Sequence, residues 1–471
     1  MFFNLKNWAD NTCLIDQKYG QFTYTDVYGI ISNICSNLEP RGLMLCLCRN
    51  SIGSVTGYIA AINNETVPLL IDANTDQGLI ERYIDNYSPD YIWCPKDIYI
   101  NDFKNIYESH DYKLLKISKS VAKNIHPSLA LLLPTSGSTG SIKLVRLSYA
   151  NIISNTKSIV DYLEIKSEHC TITTLPMHYT FGLSIINTYL YSGASIVLST
   201  STIMEKQFWN IFESNPITSI SGVPYTFEML EKIKFFKKKH GNLQVITQAG
   251  GKLGESLQYL ISDYANKYNI KFYVMYGQTE ATARMSYLPP GQSKSKIGSI
   301  GIAIPGGKFK IFDDNNNEIL DSDTQGELIY YGDNVSMGYS ENIEDLSKGN
   351  LLENVLHTGD IATKDQDGYF YIKGRKSRFV KIYGARFSLF EIESSLFEKY
   401  NHYGFCCIGS DDNLKIITET SIELIEIKKY VAKKFKINTQ AISCNYTETL
   451  PRTSSGKISY KEIEELFKTK Y

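Results

Sequence analysis

The apolar run Leu131-Leu132-Leu133-Pro134 leads straight into Thr135-Ser136-Gly137-Ser138-Thr139-Gly140-Ser141-Ile142-Lys143. This junction constrains the fold more than any other stretch of the chain. Gly137 and Gly140 allow backbone geometry that bulkier residues resist, so successive N–H groups can converge on an anion. Ser136, Ser138 and Thr139 add hydroxyl donors, and Lys143 adds a point charge. Together they read as a grip for phosphate. A Walker A loop has glycine before its lysine and Ser or Thr after it, whereas this chain has Ile142 and Leu144. A P-loop NTPase is therefore excluded. A Ser/Gly linker is disfavoured too, because the leucines in front and Leu144, Val145 and Leu147 behind tie the loop to a core.

The chain has 471 residues, 43% hydrophobic and 21% charged, enough for two or three domains and a large core. Lys+Arg number 49 against 50 Asp+Glu, a net charge of −1. That balance gives no electrostatic reason to expect nucleic acid or an anionic membrane as partner. The nine cysteines form no C-x-x-C pair and have no His at zinc spacing, so they read as buried thiols of a reducing compartment. The N-terminal residues lack the apolar core of a signal peptide, and no segment reaches the length of a membrane span. A cytoplasmic location is expected.

Apolar strand-like runs alternate with helical segments in the first half: Leu43 to Cys48, a helix near Ser54–Asn63, Val67 to Ile71, then Asp90 to Cys94. Such alternation predicts layered α/β structure. After Pro289-Pro290-Gly291 short strands take over, and Asp313-Asp314-Asn315-Asn316-Asn317 reads as a hairpin turn, lacking an EF-hand register. From about Arg375 a third region begins. Ser388-Leu389-Phe390-Glu391 reads as a capping box that starts a helix with Leu389, Ile392 and Leu396 on one face. Two strands and a helix around Ile422–Phe435 would complete a small α+β domain.

Further candidate residues lie on strand ends and loops. Tyr276-Gly277-Gln278-Thr279-Glu280 follows the strand-like Phe272–Met275, at the carboxyl end where α/β proteins bind ligands. An aromatic ring can flank adenine, a hydroxyl can reach phosphate, and a carboxylate can hold magnesium. His357-Thr358-Gly359-Asp360 offers an acid for ribose hydroxyls, Gly374-Arg375 a cation, and Pro451-Arg452-Thr453-Ser454-Ser455-Gly456-Lys457 a lysine on a glycine-containing loop.

In this order the phosphate loop, YGQTE, GELIYYG at 326–332, HTGD, GRKSRFVK at 374–381 and PRTSSGK resemble the core motifs of the adenylate-forming superfamily: acyl- and aryl-CoA synthetases, peptide-synthetase adenylation domains and firefly-type luciferases. The resemblance covers nearly the whole chain. It implies an α/β multidomain fold: an N-terminal adenylation core over 1–374 with a β-barrel subdomain at about 290–373, a hinge at 375–378, and a small mobile α+β lid over 379–471. It also implies ATP- and Mg²⁺-dependent conversion of a carboxylic acid to an acyl-adenylate with release of pyrophosphate. Transfer to a phosphopantetheine thiol, on CoA or an acyl carrier protein, follows. By motif match Lys457 is the adenylation lysine, Glu280 the magnesium carboxylate, Thr279 a phosphate contact and Asp360 the ribose ligand. Tyr276, with Gly277 and Gln278 behind it, and the turn Ala249-Gly250-Gly251 would flank adenine, and Arg375 would lie beside ribose or phosphate. Rotation of the lid would then bring Lys381 and Gly384 to a pantetheine tunnel. The hinge position is Ser377, where the family commonly has Asp or Lys.

Leu175-Pro176-Met177-His178-Tyr179-Thr180-Phe181-Gly182 matches the motif that walls the acid pocket. No aspartate lies between Asp161 and the end of that motif, which disfavours an α-amino acid because its buried ammonium needs a partner. His178 resembles the histidine that gates acyl and aryl pockets, against the alternative of a hydrogen-bonded core histidine. Phe181, Ser221, Val223, Tyr225, Met275, Ala281 and Thr282 are its expected neighbours by position, with Tyr225 hinting at a short pocket for a small or aromatic acid. The basic run Lys232, Lys234, Lys237-Lys238-Lys239 reads as the solvated end of a helix, or alternatively as a docking patch for CoA phosphates or an acidic carrier. Two other functions stay open: an amino-acid-activating or amide-forming adenylate ligase, and a non-catalytic nucleotide-binding homologue.

Overall fold

A computed structural model describes residues 5–117, 121–134, 142–400, 404–410, 412–419, 423–453 and 456–468. The phosphate-loop residues Thr135, Ser136, Gly137, Ser138, Thr139 and Gly140 lie outside the described residues, as does Ile422.

Two large sheets carry most of the chain. In the eight-stranded sheet, Leu129–Pro134, Val67–Asp72, Leu43–Cys48 and Tyr91–Pro95 run parallel side by side. Their burial is unbroken along Leu43–Cys48, as expected of a strand covered on both faces. Met44, Cys46 and Cys48 enter one hydrophobic cluster, while Leu43, Leu45 and Leu47 enter another. The period of two in the sequence thus divides the strand between two cores. Each large aliphatic chain so buried contributes about 2 kcal/mol.

In the nine-stranded sheet the parallel centre is Ser195–Leu198, Cys170–Ile172, Ser219–Gly222, Val245–Gln248 and Lys271–Tyr276. The helices Ile52–Asn63 and Thr180–Tyr191 are buried almost all round, and both belong to the cluster that takes side chains from each sheet. They are the layer between the sheets, which is why neither shows a polar face. The two sheets and their shared helices thus realise the layered α/β architecture that the alternating runs predict.

The region expected as a barrel is a four-stranded antiparallel sheet, Lys308–Phe312, Gly326–Tyr331, Val355–Lys364 and Phe370–Arg375. Among the described residues no pairing of its two outer strands closes it. The asparagine cluster makes a turn there, with the Asp313 carboxylate accepting from the Asn315 and Asn317 amides. Beyond it a hairpin, Phe379–Ile382 with Ala385–Ser388, precedes a three-stranded sheet of Phe405–Ser410, Asn413–Thr418 and Ile442–Tyr446. The helix Leu389–Tyr400 buries Leu389, Ile392 and Leu396, and the Glu391 amide donates to Ser388 Oγ at 3.3 Å, as the capping signal predicts. The helix expected near Ile422 runs over Leu424–Phe435.

The lysine run departs from expectation. Its helix, Pro224–Lys232, stops before most of the lysines, because Lys234 takes a left-handed backbone and a short 3₁₀ turn follows. All nine cysteines are free thiols, and seven of them are buried.

Candidate active site

The strand Lys271–Tyr276 is buried along its middle and delivers Tyr276 to its carboxyl end. The chain then turns back so tightly that a Cβ at Gly277 would sit 1.7 Å from the Ala283 carbonyl oxygen, so only glycine fits. The Tyr276 hydroxyl donates to Asp360 Oδ2 at 2.5 Å, and Gln278 Nε2 donates to the same oxygen at 3.0 Å. On the neighbouring strand Arg375 stands opposite Asp360, and its Nε donates to Oδ1 at 3.0 Å. A carboxylate has about four acceptor positions, so these three bonds leave room for a ligand hydroxyl on Oδ1. Burial and the adjacent carboxylate push the Tyr276 phenol well above its ordinary pKa, so it stays a donor.

Glu280 lines the same cavity. Its Oε1 accepts from the Tyr339 hydroxyl at 2.9 Å, and Lys143 Nζ lies 3.7 Å from the centroid of the Tyr339 ring. Tyr339 therefore joins the carboxylate to the lysine of the phosphate loop. Burial and Glu280 together push its phenol up. Thr279 Oγ1 lies 3.4 Å from Thr180 Oγ1.

The C-terminal region closes the site. The amide of Thr453 donates to the Lys457 carbonyl at 2.8 Å, forming a tight loop. From this loop Lys457 Nζ reaches to 5.1 Å from the Tyr179 ring centroid, and Arg452 Cζ to 4.6 Å from that of Tyr225. Gly250 has φ +85°, and a Cβ there would meet the Tyr179 hydroxyl at 2.7 Å and Lys457 Cε at 3.6 Å. The cavity so enclosed measures about 880 Å³.

Of the residues singled out from sequence, Lys143, Phe181, Val223, Tyr225, Ala249, Gly250, Gly251, Met275, Tyr276, Gly277, Gln278, Thr279, Glu280, Asp360, Arg375 and Lys457 all line this cavity. Others do not. His178 turns to the end of the strand Val67–Asp72, its Nε2 3.7 Å from Asp72 Oδ2, and burial pulls its pKa down. His178 is half-buried and is not among the residues that line the cavity, whereas its neighbour Tyr179 is. Ala281 and Thr282 are buried away from it, the Thr282 hydroxyl donating to the Asn334 carbonyl at 2.6 Å. Ser221 accepts from Thr247 Oγ1 at 2.8 Å and lines a separate, smaller chamber. Tyr225 is 37% exposed, and its ring meets Arg452 of the C-terminal loop.

Lys381 and Gly384 sit on the exposed hairpin, Gly384 with φ +85° and open space around it. Ser377 lies in the turn closed by the Arg378 amide on the Arg375 carbonyl at 3.0 Å.

A family model described as AMP-binding enzyme matches residues 2–340. The chain belongs to the AMP-binding enzyme family. Luciferin 4-monooxygenase of Luciola mingrelica is 27% identical to it over 80% of this chain and 73% of that protein. The 4-coumarate–CoA ligase 1 of Narcissus pseudonarcissus is 24% identical over 98% of this chain and 92% of its own length. In fold, the chain matches O-succinylbenzoate Coenzyme A synthetase of Bacillus subtilis, solved in complex with AMP. There the TM-score is 0.78 at 18% identity, over 96% of each chain.

The donor set of this AMP-binding enzyme suits Mg²⁺ in company with a nucleotide. Among the described residues no three His, Cys, Asp or Glu side chains gather as a metal cage. Mg²⁺ needs none: it keeps several waters and takes one or two carboxylates plus substrate phosphates, and Glu280 offers one such carboxylate beside Lys143. No described helix is long and apolar enough to cross a membrane.

Among the cavity residues that escaped the sequence reading are Tyr179, Glu228, Lys252 and Arg284. Tyr179 could have been found, since it adjoins His178 in the same motif. The others carry no local signal, because their burial arises from distant packing. Burial pushes the Glu228 carboxyl up to about 7, with Arg452 and Lys232 opposing. It pulls the Lys252 amine down, whose Nζ lies 5.5 Å from the Phe390 ring centroid.

Proposed function

We propose that the protein joins a carboxylic acid to a thiol in two steps, with an acyl-adenylate between them. A carboxylate is a poor electrophile, so it first attacks the α-phosphorus of ATP and expels pyrophosphate. The mixed anhydride so formed then loses AMP to an attacking thiol. Two anions must meet in the first step, and fixed cations in a dry site offset the charge that builds on the phosphoryl oxygens.

The observation that carries this reading is the reach of Lys457 from the C-terminal loop into the cavity already holding Tyr276, Asp360 and Glu280. Lys457 serves as the cation of the first step, Asp360 and Tyr276 hold the nucleoside, and Thr279 and Lys143 meet phosphate. Glu280 would hold Mg²⁺, which when bound would supply positive charge to the phosphate oxygens. Residues 1–374 act as the core and 379–471 as a lid turning on 375–378, so that Lys381 and Gly384 replace Lys457 for the second step. The acceptor is the phosphopantetheine thiol of CoA, in keeping with the CoA ligase among the relatives; a carrier protein presents the same arm.

Pyrophosphate–ATP exchange over a panel of carboxylic acids tests the proposal. At least one acid supports exchange. Absence of exchange with every acid, from protein that keeps its folded circular dichroism spectrum, overturns it.

A further inference from the structure

Arg284 is 2% exposed, and its guanidinium Cζ lies 3.8 Å from the centroid of the Phe181 ring. The backbone beneath it is pinned. The Arg284 carbonyl accepts from Asn155 Nδ2 and from Asn334 Nδ2, both at 2.9 Å. Its Nε approaches Met275 Sδ at 3.4 Å. On one side Arg284 lines the large cavity, and on the other a chamber of about 20 Å³ walled by Ser184, Ser219, Ser221 and Thr247.

Among the described residues no carboxylate forms an ion pair with this guanidinium; the ionisable groups that act on it are the phenols of Tyr162 and Tyr179. A phenol hydroxyl supplies no counter-charge. A buried cation facing sulfur, an aromatic face and phenols has lost its hydration without gaining a counter-charge, and that costs several kcal/mol. Its burial lowers the guanidinium's hold on its proton, which marks the same deficit. An anion arriving through the cavity would cancel it.

We propose that Arg284 is the counter-charge for a second anionic group on the acid, making the substrate a short dicarboxylic acid. One carboxylate reacts with ATP at the Lys457 end, and the other pairs with Arg284. The chamber beyond Arg284 has room for about one water, so the acid ends there. Phe181 and Met275 form the apolar wall between, and they suit a methylene chain. The absence of aspartate between Asp161 and Gly182 agrees, since an anion binder has no use for one there. This inference rests on the proposed adenylating function.

The test is pyrophosphate–ATP exchange with straight-chain dicarboxylates of about three to six carbons, each beside the monocarboxylate of equal length. A buried, specific polar contact discriminates by a factor on the order of 100 or more in kcat/KM, so dicarboxylates lead by that margin. Arg284→Met shifts the ratio of the two classes by about 100-fold toward monocarboxylates, and Arg284→Lys by less. Monocarboxylates equal to or better than dicarboxylates in the wild-type enzyme overturn the inference and leave the adenylating function standing. So does an Arg284→Met variant that slows both classes alike, since that is the mark of a merely structural arginine. If the variant does not fold, the wild-type comparison decides alone. Failure of every acid in folded wild-type protein removes the adenylating function itself, and this inference with it.

Discussion

Lys457 Nζ stands 5.1 Å from the centroid of the Tyr179 ring, although the two residues lie far apart in the chain. The contact puts a cation from the C-terminal loop over an aromatic face that lines the cavity, where cation–π attraction of about 1 kcal/mol holds it. So weak a hold suits a residue that must leave. If the structure records the first of two lid poses, the two half-reactions depend on different residues.

Lys457→Ala is expected to slow pyrophosphate exchange by on the order of 100-fold or more, while thioester formation from a supplied acyl-adenylate stays near wild type. Gly384→Leu should do the reverse, because the left-handed backbone at Gly384 resists a side chain and the tunnel it would line is used only in the second pose. Single-turnover assays of each half-reaction separate the two. Equal loss in both half-reactions for Lys457→Ala contradicts the two-pose account.

Asp360→Asn keeps the shape of the ribose site and removes its charge. Arg375 is largely solvated, and the asparagine side-chain oxygen can still accept from Tyr276 and Gln278, so stability changes modestly. Calorimetric titration is expected to show ATP binding weakened by about 10-fold or more, with the melting temperature shifted by only a few degrees. A collapse in melting temperature with ATP affinity intact would make Asp360 a structural residue.

Glu228 sets a pH dependence of opposite sign to the usual carboxylate. Its pKa rises from 4.5 to about 7 on folding, mainly through burial. Between those values the folded protein keeps a proton that the unfolded chain has released. Stability therefore falls as pH rises across that window, by at most about 3 kcal/mol. Glu228→Gln should flatten this part of the profile, measured as denaturant midpoints at a series of pH values. Arg452 opposes the shift, so Arg452→Ala should steepen it.

That Tyr276, Gln278, Glu280 and Asp360 meet in one cavity was legible in the sequence, because they sit in short segments whose order survives folding. Tyr276, Gln278 and Glu280 sit on one turn, and the strand before them announces itself by its apolar run. The layered sheets were legible for the same reason, as Leu43–Cys48 alternates between two cores. The acid end was not. His178 and Tyr179 are adjacent, and which of them faces the cavity is decided by the partner Asp72, more than a hundred residues earlier. Arg284 reads as an unremarkable arginine after YGQTE until Asn155, Asn334 and Phe181 enclose it. For Tyr225 the ring size was visible and its contact with Arg452 was not.

The central claim is that the acid's own oxygen attacks the α-phosphorus, and oxygen labelling tests it most directly. An acid carrying ¹⁸O in its carboxylate is incubated with ATP and CoA, and the nucleotide products are weighed by mass spectrometry. The account predicts AMP bearing one ¹⁸O, because the bridging oxygen of the adenylate leaves with AMP when the thiol attacks. Label appearing in inorganic phosphate alongside ADP, or AMP without label, would contradict it.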